Sequence, residues 1–449
     1  MEDYILEKNL VKASIFNKLK SHKKIIFILI NILLLSYTVF SVPYFSGTMG
    51  IGGRFQPVPE KFPDLLMDAY FAGQFDISSS LTLRTSLSMF TTESILKESI
   101  FQNTAAKFNL DEVSLTYRGS VGAISHFLGM YIGEYDPVGS DIYLQRQFGI
   151  PSFASRLTQT ICGISKAKIY DMAGIGGTYN IKFPQNIALG LNVYYNKAKD
   201  WTSITVGESL DNTDDFFVES LNTDLRFAGA WRAAAIDFSF GLTMPMKKEI
   251  TFEDGNTQKV ILLIERADMH AGFTAFFGSS NSSSLLFQAG FTKLIIDPNV
   301  AKKEQVLSFN DVYILVEPRF VSRSLCLSLS LFNMPNSTKE NLFYIEDPVG
   351  VSVSLYTPWI SLSGNKSQFG LMATMSSSES LDNIIKTNEE QQNLDIIKEN
   401  LRLFLSPYGT VCVGAGKINF SINVNAFDIK DWKSFLDNFS VIAGYKVQI

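Results

Sequence analysis

The 449-residue chain carries 39 Lys+Arg against 44 Asp+Glu, a formal charge of −5, and is 18% charged, 46% hydrophobic and 13% aromatic. Charge this sparse, well under the roughly 25% of ordinary soluble domains, together with 36 Phe, excludes a disordered chain. The acidic balance without long like-charge runs excludes a nucleic-acid-binding tail, and a single apolar run approaching about 20 residues excludes a polytopic helical membrane protein.

The chain begins with Lys8, Lys12, Lys18, Lys20, Lys23 and Lys24, followed by the apolar run 25–39. A basic segment before a short apolar one predicts an export signal, with Val39 and Ser41 at the −3 and −1 positions of a cleavage site. Residues 1–41 are expected to be removed, leaving one domain over 42–449. An uncleaved anchor is the alternative.

From there the pattern has period two. Leu81, Leu83, Leu87 and Met89 alternate with Thr82, Arg84, Ser86 and Ser88. Val113, Leu115 and Tyr117 alternate with Glu112, Ser114, Thr116 and Arg118. Leu325 to Leu331 and Ile418 to Ala426 repeat the pattern. Successive strand side chains point to opposite faces, so these are strands with one apolar and one polar side.

Eight hairpins follow: 65–76/80–89, 111–118/121–132, 169–182/186–197, 221–231/233–242, 269–278/282–292, 311–320/324–332, 348–357/367–375 and 401–413/417–427. Gly119-Ser120, 184–186, 279–281 and 414–416 supply turn residues. Between hairpins the connections are long, the longest being 133–168. The segment 379–404 has helical spacing and reads as an amphipathic loop helix.

Short and long connections alternating along the whole chain predict an all-β fold: a transmembrane antiparallel up-and-down β-barrel. Adding a Gly-rich leading strand at 44–55 and a closing strand at 439–449 gives about 18 strands, with 16 as the alternative. Tyr117, Tyr195, Trp231, Phe291, Phe320 and Tyr445 fall on outward faces near strand ends, where interfacial girdles form. A barrel this wide leaves an aqueous channel unless something plugs it.

On this alternation, and on the hairpin from Asp111 to Gly133 leading into a long loop, the chain resembles the bacterial outer-membrane porin superfamily. The Ile-, Asn- and Lys-rich leader suits an AT-rich host such as a spirochaete. The resemblance implies an outer-membrane location with both termini periplasmic, contact with outer-membrane lipid, and insertion by the barrel assembly machinery. It also implies passive diffusion of small hydrophilic solutes, and a loop 133–168 folded into the lumen. The final strand departs from the class by ending in Ile449 rather than an aromatic. A homotrimer is compatible with Gly174, Gly176 and Gly177, which would flatten one outer wall.

Charges selecting solutes in such a loop would be Glu134, Asp136, Asp141, Arg146 and Arg156, with Lys166 and Lys168 beside them. Wall candidates are Arg84, Glu112, Arg118, Asp224, Arg226, Asp237, Glu317 and Arg319, expected to face water because lipid rejects charge. The competing reading makes them structural ion pairs, and their mixed signs argue against a strong anion or cation filter. His126 reads as inward and structural. Cys162, Cys326 and Cys412 imply no pairing. The absence of CxxC, HExxH or GxSxG motifs leaves no enzyme, metal or cofactor site. Rival functions are a substrate-specific uptake channel, for example for hydrophobic compounds, and a surface adhesin built on the barrel.

Overall fold

The computed structural model describes residues 44–56, 63–91, 94–95, 106–159, 168–197, 203–206, 219–246, 250–251, 257–258, 267–279, 282–295, 307–335, 338, 342, 344–362, 364–381, 400–431, 435 and 438–449. The leader, Cys162, Lys166 and most of the expected helix over 379–404 lie outside the described residues. Within 379–404, residues from Leu401 onward form strand.

Eighteen antiparallel strands form the wall, two short strands being added to the same sheet outside it. In the first half they are β1 (Tyr44–Gln56), β2 (Asp64–Ser78), β3 (Leu81–Thr91), β4 (Ala106–Val121), β5 (Ile124–Glu134), β6 (Ala173–Phe183), β7 (Ile187–Lys197), β8 (Glu219–Trp231) and β9 (Ala234–Met246). The second half comprises β10 (Asp268–Gly278), β11 (Ser284–Ile295), β12 (Val312–Val321), β13 (Cys326–Asn333), β14 (Val349–Tyr356), β15 (Asn365–Ser377), β16 (Leu401–Val413), β17 (Gly416–Asn425) and β18 (Phe439–Gln448). Each pairs with its chain neighbours, and β1 pairs with β18. Reciprocal bonds between Gly47 and Ile449, 2.9 and 2.8 Å, continue that seam, so the wall has no open edge.

The four glycines of the leading segment do not prevent a strand. A Cβ at Gly50 would collide with the Tyr70 ring, so the glycine makes room for a tyrosine from β2. On β5 the two faces separate cleanly: Leu128, Met130 and Ile132 are 59%, 72% and 37% exposed, while Tyr131 between them is 2% exposed. Exposed apolar side chains recur in this phase around the wall, the outward band that lipid covers. Tyr117, Trp231, Phe320 and Tyr445 are among them.

Two local expectations are corrected. Gly119 and Ser120 lie within β4, and the turn is Gly122-Ala123, where Gly122 has φ +60°. The strand runs on because Val121 still pairs with Ile124. His126 then shares the phase of Leu128 and Met130 and faces outward, its Nδ1 2.8 Å from the Tyr179 hydroxyl. The hairpin drawn at 169–182 begins only at Ala173, because Ile169, Tyr170 and Met172 are buried in the preceding connection. Gly174 and Gly176 face inward, where a Cβ would strike the Tyr194 and Tyr195 region. They admit inward aromatics rather than flatten the outer wall.

Candidate functional site

The connection from Tyr135 to Met172 is tied at its base to itself. Val138 and Tyr170 form a bridge, Ile169 N–H donates to the Val138 carbonyl at 2.7 Å, and Tyr135 N–H donates to the Met172 carbonyl at 3.2 Å. A one-turn-and-more helix, α1 (Ile142–Phe148), follows, stopped by Gly149 in the left-handed region. Asp141 is 3% exposed. Its carboxylate accepts from Ser152 Oγ (2.6 Å) and from the Phe153 and Ala154 amides (2.9 and 3.2 Å), folding the return segment back over α1. Asp141 therefore organises the segment and presents no free carboxylate.

The segment is bonded to inward-facing side chains around much of the wall. Tyr143 donates to Asn180 on β6 at 2.9 Å. Arg226 on β8 donates to the Asp136 carbonyl, and Gln288 on β11 donates to the Gly139 carbonyl. Tyr170 reaches Asp224 (3.0 Å) and Ser239 (2.6 Å). Ser155 donates to Glu317 on β12, and Arg156 donates to Gln368 on β15 at 2.8 Å while lying 4.2 Å from the Tyr408 ring centroid. Stacked Phe153 and Phe276, 4.7 Å apart, add apolar adhesion. A second segment joins this core through Leu342, Tyr344 and Ile345, all buried.

The sequence-predicted charges divide accordingly. Arg146 pairs with Asp136 within the segment and links it to the wall through Glu112 on β4 at 2.7 Å. Burial pulls the Arg146 guanidinium down, but Asp136 and Glu112 outweigh it and hold it firmly charged. Arg226 is clamped to Asp237 at 2.9 and 2.6 Å, and Arg319 to Glu317 at 2.6 Å. Asp224 receives Tyr170 and His270, the latter at 2.9 Å. Glu134 holds Lys168 at 2.6 Å, with Asp171 also near.

Glu112, Asp224, Arg226, Asp237 and Glu317 are 7, 0, 2, 1 and 3% exposed. The expectation that these five face water is thus corrected: they are bonded to the overlying segment or to each other. Burying a charge is tolerable only when it is paired and hydrogen-bonded, which is the arrangement here. Arg84 and Arg118 differ. Arg84 donates to Gln74 at 2.9 Å on a partly exposed face, and Arg118 is exposed over the Phe127 ring.

Sequence reasoning missed Tyr135, Tyr143, Tyr170, the donor Gln288 and the acceptor Gln368. The available signal was tyrosine in inward phase, at Tyr131, Tyr194, Tyr313 and Tyr408, where a wall bathed in water needs no rings. Cys326 and Cys412 are free thiols. Among the described residues no group of His, Cys, Asp or Glu could hold a metal ion.

Tyr135 offers a test of the packed interior. Burial, reinforced by the Asp136 carboxylate, pushes its phenol up to about 12. An unfolded tyrosine ionises near pH 10. Between about 10 and about 12 the unfolded chain therefore sheds a proton that the folded chain keeps, and stability falls as pH rises through that window. Urea midpoints in detergent should drop more steeply there for the wild type than for Tyr135→Phe, and parallel slopes would contradict a buried phenol.

No family model and no curated protein matches the chain. Among solved structures, it resembles Salmonella typhi OmpF in complex with daunomycin (10% identity, TM-score 0.39, covering 91% of this chain and 97% of that one). It also resembles Pseudomonas putida OprB (8%, 0.37, 90% and 93%) and a Rh. blastica porin mutant (9%, 0.32, 91% and 100%). At these scores the likenesses add nothing to what the barrel itself displays. A wall of eighteen antiparallel strands, sealed between its first and last, apolar outside and polar within, makes this chain a transmembrane antiparallel β-barrel.

Proposed function

We propose that this chain is a bacterial outer-membrane channel through which small hydrophilic solutes diffuse passively, and that the segment 135–159 narrows the passage. The observation that carries this reading is an asymmetry of burial across the inward faces. On β8 to β12, Asp224, Asp237, Ser239, Thr274, Gln288 and Tyr313 are at most 3% exposed beneath the segment. On β1 to β3, inward Thr48, Gln74, Thr82, Arg84 and Ser86 remain partly exposed. Solutes would pass between that polar strip and the packed segment, with Arg84 and Arg146 flanking the way. Hydration of a polar wall is what separates an aqueous passage from a plugged barrel.

In this reading the tight turns and both termini are periplasmic, residues 1–41 are removed on export, and the closing strand is what the assembly machinery recognises. The barrel stands alone or as a homotrimer. The protein purified from membranes in detergent should give discrete single-channel steps of reproducible size in planar bilayers. Silence from folded, heat-modifiable protein would overturn the channel.

A further inference from the structure

We infer that the passage prefers anions, and that the preference is set in its tight-turn half. This rests on the channel reading above and specifies its solute class. None of the eight tight turns contains Asp or Glu, whereas they carry Arg232 and Arg323. Within a few residues of those turns, the inward faces of the strands present Arg84, Arg118, Lys182 and Lys417, and the inner segment adds Arg156.

Among the described residues, the hydrogen bonds and ring contacts of these five cations are with neutral groups, Asp136 and Glu112 reaching Arg84 only through space. Arg84 donates to the Gln74 amide oxygen and Arg156 to that of Gln368, at 2.9 and 2.8 Å. Lys182 donates to the Gln147 carbonyl at 2.7 Å and lies 5.2 Å from the Phe148 ring centroid. Arg118 lies over Phe127 and Lys417 over Trp359. Of the carboxylates in the same half, Asp237 and Glu317 are neutralised by Arg226 and Arg319, whereas Asp76 and Asp141 are bonded to neutral donors and keep their charge, so the cations outnumber them rather than stand alone.

Like charges are also brought together. Lys417 and Lys446 are direct register partners on β17 and β18, both in inward phase. Arg118 and Lys182 are electrostatic neighbours. Like charges brought close repel, and a passing anion relieves that repulsion at Arg118 and Lys182. At the long-loop end the balance differs: Glu134, Asp171, Asp268 and Asp347 each face a cation within 4 Å.

A passage lined by one sign of charge between low-dielectric walls raises the local concentration of counter-ions, so small hydrated anions such as chloride, carboxylates or phosphate would be favoured. Salt screens exposed charge over about 10 Å at 0.1 M, so the preference should strengthen as salt is lowered.

The test is reversal potential across a potassium chloride gradient, with the protein purified from membranes and inserted in planar bilayers. Expected is a chloride-to-potassium permeability ratio above one that rises on dilution and falls below one in Arg118→Glu/Lys182→Glu. Heat-modifiability on gels confirms folding of the variant. If that variant does not fold, Lys417→Gln should still lower the ratio. A conducting channel with a ratio at or below one, or with a ratio indifferent to the folded variants, overturns the inference and leaves the channel intact. Absence of any conductance overturns both.

Discussion

Arg226→Ala is expected to cost about 3–5 kcal/mol, the usual loss when one partner of a buried ion pair is removed and the other stays charged. Arg226 and Asp237 are 2 and 1% exposed, and the guanidinium holds both Asp237 carboxylate oxygens, at 2.9 and 2.6 Å. The same guanidinium donates to the Asp136 carbonyl and lies 4.0 Å from the Tyr143 ring centroid. Its loss therefore strands a charge in the wall and frees the segment at the start of α1 at the same time. Two readouts should move together: the urea midpoint falls, and single-channel current becomes noisier as the segment loses its tether. Asp237→Ala in the Arg226→Ala background should recover part of the stability, because the stranded charge is gone, while the noise persists. A midpoint shift worth less than about 1 kcal/mol in the single variant would show the pair to be solvated.

The wall could be read from residue order because lipid and water impose period two on every crossing strand. That held even for β1, where glycines weaken the signal but Met49 and Ile51 keep the outward phase. The hairpin positions followed from the same alternation, and the misplaced turn at Gly119 arose because glycine is tolerated inside a strand as well as in a turn. The interior was less readable. Nothing in the spacing of Asp136, Asp141 and Arg146 distinguishes a solvated loop from one packed against a wall. Their partners, Glu112, the Phe153 amide and Arg226, are distant in sequence or are backbone groups with no side-chain signature. Inward charge was read as excluded from lipid, but exclusion from lipid does not mean contact with water. Asp224 and Asp237 face a third environment, the underside of a folded loop. Inward tyrosines, and inward glycines opposite Val138 and Ile169, were the residues that marked it.

Those glycines lead to the second large effect. Gly272 on β10 and Gly290 on β11 are neighbours in register and both face inward. A Cβ on Gly272 would strike Val138 Cγ1, and one on Gly290 would strike Ile169 Cγ2 and the Ala271 carbonyl. Val138 and Ile169 are each 1% exposed and are joined by the bond that closes the base of the segment. The two glycines thus form a shallow socket into which the base seats. Adding a methyl there is overpacking, at about 1–3 kcal/mol per site. Gly290→Ala is expected to be the worse of the two, because the atom it meets includes backbone that cannot rotate away. Gly272→Ala meets only side-chain atoms, so Val138→Ala should relieve it. In a double-mutant cycle that pair should show a favourable coupling of about 0.5–3 kcal/mol, whereas Val138→Ala alone is destabilising. Additive effects of Gly272→Ala and Val138→Ala would mean that the base of the segment does not rest on the wall at Gly272.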